Sequence, residues 1–403
     1  MSKGNTAAPA APMLSDWIDP FEEALRNGVH EFVQQLLEAE VSEALDRLRY
    51  ARTPSAKGSR NGHRARELVT TMGRMTVNVP RARVVGAEGK LSEFRSKVLP
   101  RYARLTTAAL ALIASAYLAG VNTRRVRRAL GALFGGAVSK DTVSRAWRKV
   151  QGDFATWMQR RLDEEPIVRL ILDGTVVKVR LDRKATTLSI LVAMGVRADG
   201  QKVLLALRAM GGESEAAWRA LLDDLLARGM PVPALLIIDG GKGLEAALAA
   251  LWPTIPVQRC TVHKHRNLLA HAPKKLHDEL SADYTDMIYA KSAVEVRAKR
   301  KAFLRKWKLK CRAVADSLEE AGDRLFTFLR YPETQWKSIR TTNAIERLHE
   351  EFRRRIKIQC VLPCEETACM LFWALLAAGQ ITLRKVDGWQ TLHEQPRELD
   401  LAA

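Results

Sequence analysis

A mixed α/β core preceded by a basic, mainly α-helical region is the fold class predicted by this sequence of 403 residues. Three observations carry the prediction. Three β-rich runs, Ile167 to Val179, Thr186 to Val196 and Gln201 to Met210, are joined by Asp182-Arg-Lys184 and by Asp199-Gly200, the second a strong hairpin turn. Ala234-Leu-Leu-Ile-Ile-Asp239 is an apolar run of strand length, as expected of a central strand buried on both faces. Between them, Ser214 to Arg228 sets Trp218, Leu221, Leu222 and Leu225 on one side of a helix, with Gly229 as C-cap and Pro231 beyond.

The elements follow in order. After Pro20, the residues Phe21, Leu25, Phe32, Leu36, Leu37, Val41, Leu45 and Leu48 recur near helical spacing with acids between them, which predicts a packing or dimerising helix within residues 1–50. Residues 51–104 are rich in Arg, Gly and Pro and read as a basic arm with little strand, the exception being Met75 to Val79. From Leu105 to about Met158 three helical segments are expected, broken at Gly120-Val-Asn122 and Gly135-Gly136, the third starting near Ser139 as N-cap. The core then begins near residue 161. A right-handed crossover should lay the run ending in Asp239 parallel to the first strand. A helix (Leu244 to Leu251) and a short strand (Val257 to Cys260) complete the order βββαβαβ, that of an RNase H-like sheet.

Composition narrows the partner. Lys plus Arg number 65 against 45 Asp plus Glu, a formal charge of +20. Residues 1–50 hold nine acids and four bases, whereas 51–160 hold 22 bases and five acids, a local charge of +17. Such a block suits a polyanion, because each neutralised phosphate releases counterions. Double-stranded DNA is therefore the expected partner. The longest apolar run, Ala108 to Gly120, is too short for a bilayer span, and no secretory signal is legible at the N-terminus, so cytoplasmic residence without a membrane partner is expected. Five cysteines without a C-x-x-C pair argue against a disulfide framework.

In the segment after Ser139, Val143, Ala146, Trp147 and Val150 form an apolar face at i, i+3, i+4 and i+7. Thr142, Arg145 and Lys149 occupy another face and, with Arg148, are the candidate DNA contacts of a helix-turn-helix reader. A plain three-helix packing unit has the same periodicity. Asp173 interrupts the first apolar strand and Asp239 ends the fourth, and neighbouring strands would bring them together. Two carboxylates there repel unless a divalent cation holds them, and hard oxygen ligands suit Mg²⁺ or Mn²⁺. Each Asp equally suits a strand-ending turn, Asp239 especially, before Gly240-Gly241. A helix from about Thr342 puts Asn343, Glu346, Glu350, Arg353, Arg354 and Lys357 on one face, which a solvated charged helix would also do.

Several stretches, taken in order, resemble the Mutator-type transposases of bacterial insertion sequences: Leu172 to Arg180, Gly212-Glu-Ser214 with Trp218 and Arg228-Gly229, Ile238 to Leu244, Val257 to Asn267, and Trp336 to Lys357. Arg340-Thr-Thr-Asn-Ala-Ile-Glu-Arg347 is the most specific, with Asn61-Gly-His63 and Val79-Pro-Arg81 matching upstream. The resemblance covers about residues 40–380. It implies a DDE transposase: an RNase H-like catalytic core (161–265 and 336–380) interrupted by a mainly helical insertion domain (266–335), preceded by the DNA-binding region (51–160) and followed by a tail (381–403). It makes Asp173, Asp239 and Glu346 the catalytic, metal-binding triad, with Mg²⁺ as cofactor and Mn²⁺ substituting.

The implied reaction is cleavage at the terminal inverted repeats and transfer of the freed 3′-OH to a new phosphate, through a circular intermediate. A homodimer or higher oligomer associated with the nucleoid is implied with it. Arg347, Arg353, Arg354 and Lys357 become candidate phosphate contacts. The family's Cys-x-x-His signature falls on Cys260 and His263, near the active site. His265, His271 and His277 could complete a zinc set with them, but no second C-x-x-C or H-x-x-x-H pair is spaced for it, and a structural or DNA-contacting role is expected instead. Two positions depart from the family pattern: Gly174, where Ala is frequent, and His349, where Asn is usual. A DNA-binding repressor with an unused core, and a nuclease without strand transfer, are the alternatives.

Overall fold

A computed structural model of the protein describes residues 20–51, 57–86, 89–100, 103–118, 140–181, 184–356, 362, 364–377, 379 and 381–398. The chain divides into two compact units, residues 1–117 with 121–149, and residues 118–120 with 150–403.

In the first unit, helix α1 (Pro20–Leu45) lies on an antiparallel sheet of three strands, β1 (Gly58–Thr70), β2 (Gly73–Val85) and β3 (Leu91–Glu93). This corrects the expectation of an arm with little strand. On one face of the sheet, Leu37, Val41 and Leu45 of α1 pack against Leu68, Met75, Val77 and Ala82. In β1 the register places Arg64 and Arg66 on the same face as Leu68, paired with Val79 and Val77, and these arginines break the apolar alternation that would mark the strand in the sequence. The hairpin closes tightly at Thr70↔Gly73, where Gly73 takes φ +103, a value that favours glycine. Asn61-Gly-His63 coincides with an irregularity in the β1–β2 register; His63 and Arg60, on either side of it, both reach Glu38 of α1. Phe21, Leu25 and Phe32 of α1 stay exposed.

Helix α2 (Thr107–Leu118) packs Ala109 and Ile113 with Val69 and Ala146. The third expected helical segment is α3 (Lys140–Gln159), and the middle one lies outside the described residues, as do Gly120, Gly135 and Ser139. A helix-turn-helix pair therefore has one described member.

The second unit is built on a five-stranded sheet in the order β6-β5-β4-β7-β8, where β4 is Ile167–Leu181, β5 Lys184–Arg197, β6 Lys202–Met210, β7 Leu235–Ile238 and β8 Val257–Arg259. The first three are antiparallel, and β7 and β8 run parallel to β4. The expected order and sense of the strands hold, each within a few residues. Helices α4 (Glu215–Ala227) and α5 (Lys242–Leu251) pack Trp218, Leu221, Leu222, Leu225, Leu244 and Leu248 against Leu170, Leu172, Leu191, Ala193, Leu236 and Ile238. Burial of each large apolar side chain there stabilises the fold by about 1.5 to 3 kcal/mol. Helix α4 begins at Ser214, whose hydroxyl accepts from the Ala217 N–H, and ends before Gly229, at φ +85.

The stretch after β8 is mainly helical: α6 (Thr261–His271), α7 (His277–Ile288), α8 (Ala293–Lys310) and α9 (Arg312–Ala321). It is anchored by buried polar groups. Gln258 at the centre of β8 donates to Leu325 O and accepts from Phe328 N, while Arg259 and Lys264 both hold Glu320 of α9. Helices α10 (Asn343–Ile356) and α11 (Glu365–Ala377) return to the sheet, with α10 packed on β4 and α11 on β4 and β6.

Candidate active site

Strand alternation determines which side chains of β4 meet which helix. Leu170 and Leu172 belong to the core under α4 and α5. Ile171, Asp173 and Thr175 therefore point to the opposite face, where α10 lies. The contacts agree: Arg353 of α10 donates to Thr175 Oγ1 at 2.9 Å, and His349 Nδ1 lies 3.7 Å from Asp173 Oδ2. The parallel pairing of β4 with β7 ends at Leu172↔Ile238. Asp173 and Asp239 are thus the next residues on two adjacent strands, about 4.8 Å apart in the pairing direction.

Glu346 sits on the first turn of α10 and faces the start of α6. Its Oε1 lies 3.3 Å from His263 Nδ1 and its Oε2 3.6 Å from Arg266. Cys260 Sγ accepts from the Thr342 N–H just ahead of α10, and Cys260, His263 and Glu346 offer ligand atoms all within 4.8 Å of one another. The structure accordingly gathers Asp173, Asp239, Glu346, Cys260 and His263 in one place. Among the histidines that could complete a zinc set, His265 contacts Ser281 and stacks on Tyr284, and His277 contacts Ala272 O.

The electrostatics match the crowding. Burial, reinforced by the Asp239 charge and by Glu346, pushes the Asp173 carboxyl up to about 7, against the pull of His263. His263 is raised to about 9, first by its hydrogen bond with Cys260, against burial, and then by the charges of Cys260, Asp173 and Glu346. Burial alone would raise the Cys260 thiol, but hydrogen bonds with His263 and Thr342 prevail and lower it. His349 is pushed down to about 3 by burial, with Arg353 and His263 adding to the effect. It is therefore a neutral imidazole beside Asp173, and the 3.7 Å approach is not an ion pair.

The donor set fits a hard divalent cation. Glu346 Oε1 is buried without a hydrogen-bond partner, while a second and third carboxylate are held close enough to repel. His263, 3.3 Å from that oxygen, offsets its charge in part, and a bound cation would offset the crowding that remains.

The expected DNA contacts divide. Arg145, Arg148 and Lys149 are exposed on α3, as a contact role requires, whereas Thr142 is 5% exposed and takes no part in a solvent face. The correction has a simple cause: Ala146, four residues on, is buried, and Thr142 shares its side of the helix. Arg347 is exposed, Arg353 is committed to Thr175, Arg354 pairs with Glu351, and Lys357 lies outside the described residues.

Two neighbours of the site were not legible as such. Arg266 is one residue in a basic run. Glu213 stood in the Gly212-Glu-Ser214 stretch with no role assigned; here its carboxyl is raised by burial and then by Asp239, with a Ser189 hydrogen bond and His263 opposing.

Comparison with known proteins gives the family of the chain. Residues 11–382 match the family described as transposase, Mutator family. The transposase for insertion sequence element ISRM5 of Rhizobium meliloti (strain 1021) is 32% identical over 374 residues, covering 93% of this chain and 91% of that protein. The transposase for IS406 of Burkholderia multivorans is 32% identical over 373 residues, 92% and 93% of the two chains. That for IS256 in transposon Tn4001 of Staphylococcus aureus is 30% identical over 361 residues, 88% and 90%. These similarities define a DNA-modifying enzyme of the transposase class. The chain belongs to the Mutator family of transposases. Among the described residues, no helix is long and apolar enough to cross a membrane.

Proposed function

We propose that this transposase binds the terminal inverted repeats of an insertion sequence and catalyses divalent-cation-dependent strand cleavage and strand transfer, through a circular intermediate, on an RNase H-like core. The observation that carries the reading is the meeting of three carboxylates from distant parts of the chain: Asp173 and Asp239 at adjacent strand positions, and Glu346 from α10. Asp173, Asp239 and Glu346 would hold Mg²⁺, with Mn²⁺ as substitute, and the ion would supply Lewis-acid activation of the attacking oxygen and charge stabilisation at the phosphate. The protein's part is placement. Arg353 ties α10 to β4 through Thr175, and buried, neutral His349 fills the space behind Asp173, so the two elements that carry the acids hold a fixed spacing. Exposed Arg347 is placed to meet a backbone phosphate. The site is tested with a labelled duplex carrying an element end: nicks at the end in Mg²⁺ and none in EDTA support it, and equal cleavage in both contradicts it.

A cation at these carboxylates has a pH signature. Because the folded Asp173 carboxyl titrates above its ordinary range, its contribution to stability is complete below about pH 4 and is lost as pH rises toward 7. Bound Mg²⁺ relieves that loss. Saturating Mg²⁺ is expected to raise the melting temperature more at pH 8 than at pH 5; a hundredfold excess over the Kd at pH 8 stabilises the fold by about 2.7 kcal/mol. Equal shifts at both pH values, or none, contradict cation binding here.

For DNA, the first unit offers a cavity of about 1060 Å³ lined by Arg64, Arg66, Arg81, Arg95 and Arg104. Arg66 is turned inward onto Pro100 O and Ala103 O, while Arg64, Arg95 and Arg104 are exposed. With Arg145, Arg148 and Lys149 they account for the basic footprint. Arg64→Ala is expected to weaken binding to all duplex sequences alike and to reduce the salt dependence of log K by about one charge. An unchanged salt slope removes this sheet from the interface. Two ends must be joined, so a homodimer or higher assembly is part of the proposal.

A further inference from the structure

The loop from β6 to α4 carries Glu213 back from the edge of the sheet to its centre, and two glycines seat it there. A Cβ built on Gly174 would lie 2.3 Å from Glu213 Oε1 and 2.6 Å from its Cδ, so the bare Cα of Gly174 is the surface against which this carboxylate rests. A Cβ on Gly243, in the first turn of α5, would lie 2.3 Å from Glu213 O, 2.8 Å from Ser214 C and 2.9 Å from Glu215 N. The backbone at 213 is thus pressed onto the helix that follows Asp239-Gly240-Gly241, and the side chain onto the residue that follows Asp173. The side chain therefore lies on the α4–α5 face of the sheet, across from the Asp173 side chain, and close enough to Asp239 for that charge to raise it.

Of the charges that reach Glu213, Asp239 opposes its ionisation more than His263 favours it. Glu213 has Ser189 as its hydrogen-bond partner, and no lysine or arginine forms an ion pair with it among the described residues. A fourth acid is brought within reach of Asp239, which Asp173 already opposes. Such an arrangement persists at modest cost when a cation neutralises it, and Mg²⁺ or Mn²⁺ takes several carboxylate oxygens in its six positions.

We propose that Glu213 is a fourth carboxylate of the centre, a ligand for the divalent cation on the Asp239 side, admitted by the missing side chain at Gly174. The inference rests on the reading that Asp173, Asp239 and Glu346 bind a cation. It gives Glu213 a role distinct from capping α4, which Ser214 performs.

The test is Mn²⁺ binding to the full-length, DNA-free protein, by calorimetry and by the spin-resonance signal of free Mn²⁺. Glu213→Gln keeps the shape and the contact to Ser189, so a structural role predicts wild-type affinity. The ligand role predicts a loss of at least about tenfold or of one bound ion, with Glu213→Asp recovering part of it. Gly174→Ala provides an independent variant: its methyl displaces only the tip of a flexible side chain, so the fold is kept while Mn²⁺ affinity falls. Asp173→Asn separates the two claims. If Asp173→Asn abolishes Mn²⁺ binding while Glu213→Gln and Gly174→Ala leave it unaltered, the role of Glu213 is overturned and the three-carboxylate centre stands. If wild type binds no Mn²⁺, or Asp173→Asn binds it as wild type does, the centre itself fails and this inference with it.

Discussion

Asp173→Asn, Asp239→Asn and Glu346→Gln are each expected to lower cleavage at an element end by at least about a thousandfold, leaving affinity for the same duplex unchanged. The amides preserve size and keep one oxygen, so packing at the buried Asp173 and at the first turn of α10 is retained. What is removed is the negative charge that a divalent cation requires. Two measurements on each variant decide it: single-turnover cleavage of the labelled end, and gel-shift affinity in EDTA. Loss of both together would mean that the substitution disturbed the fold. Cleavage surviving in any one of the three would mean that this carboxylate lies outside the chemistry. In the cation-free protein, Asp173→Asn should also be more stable than wild type above pH 7, because it removes a carboxylate that resists ionisation.

Gln258→Leu is expected to destabilise the second unit by about 3 kcal/mol or more, although it replaces a polar residue in the core by an apolar one of similar volume. Gln258 is fully buried and serves three backbone groups: its amide donates to Arg259 O at 2.7 Å and Leu325 O at 2.8 Å, and its carbonyl accepts from Phe328 N at 2.7 Å. Leucine leaves these groups without that partner in a dry interior, at about 1 to 3 kcal/mol each. The effect extends beyond stability. Gln258 sits on β8, beside β7, and it fixes the 325–328 segment that leads toward α10. Hydrogen exchange should show faster opening at Phe328 before the rest of the sheet, and denaturant unfolding should show the loss. A change below about 1 kcal/mol would contradict the accounting of these bonds.

The contrast between the two units shows what a single sequence exposes. The second unit was legible because its strands are buried: Leu235 to Ile238 and Ile190 to Met194 are continuous apolar runs, and turns such as Asp199-Gly200 punctuate them. Asp173 and Asp239 stood out as acids breaking those runs, and their neighbourhood followed from the crossover rule. Glu346 was legible only through the family resemblance, because Glu346, Glu350 and Arg353 by spacing alone read as a solvated helix face.

The first unit was misjudged for the opposite reason. Leu68, Met75 and Val77 face α1, but Arg64 and Arg66 stand on that same side of β1 where apolar residues would mark the strand period. Thr142 shows the limit of helical spacing: the wheel separates faces without saying which one a neighbour covers. Glu213 is legible as part of the Gly212-Glu-Ser214 stretch but not in its role, since its place depends on two glycines, 174 and 243, distant in sequence and brought to it by the loop after β6.

The central claim, that these carboxylates join DNA ends, is tested most directly in cells carrying the element's two ends on a plasmid and expressing either wild type or Glu346→Gln. Amplification outward across the abutted ends reads the joined junction itself. The account predicts junctions with wild type and none with Glu346→Gln, at equal protein levels and equal occupancy of the ends. Junctions of equal yield from both would contradict it.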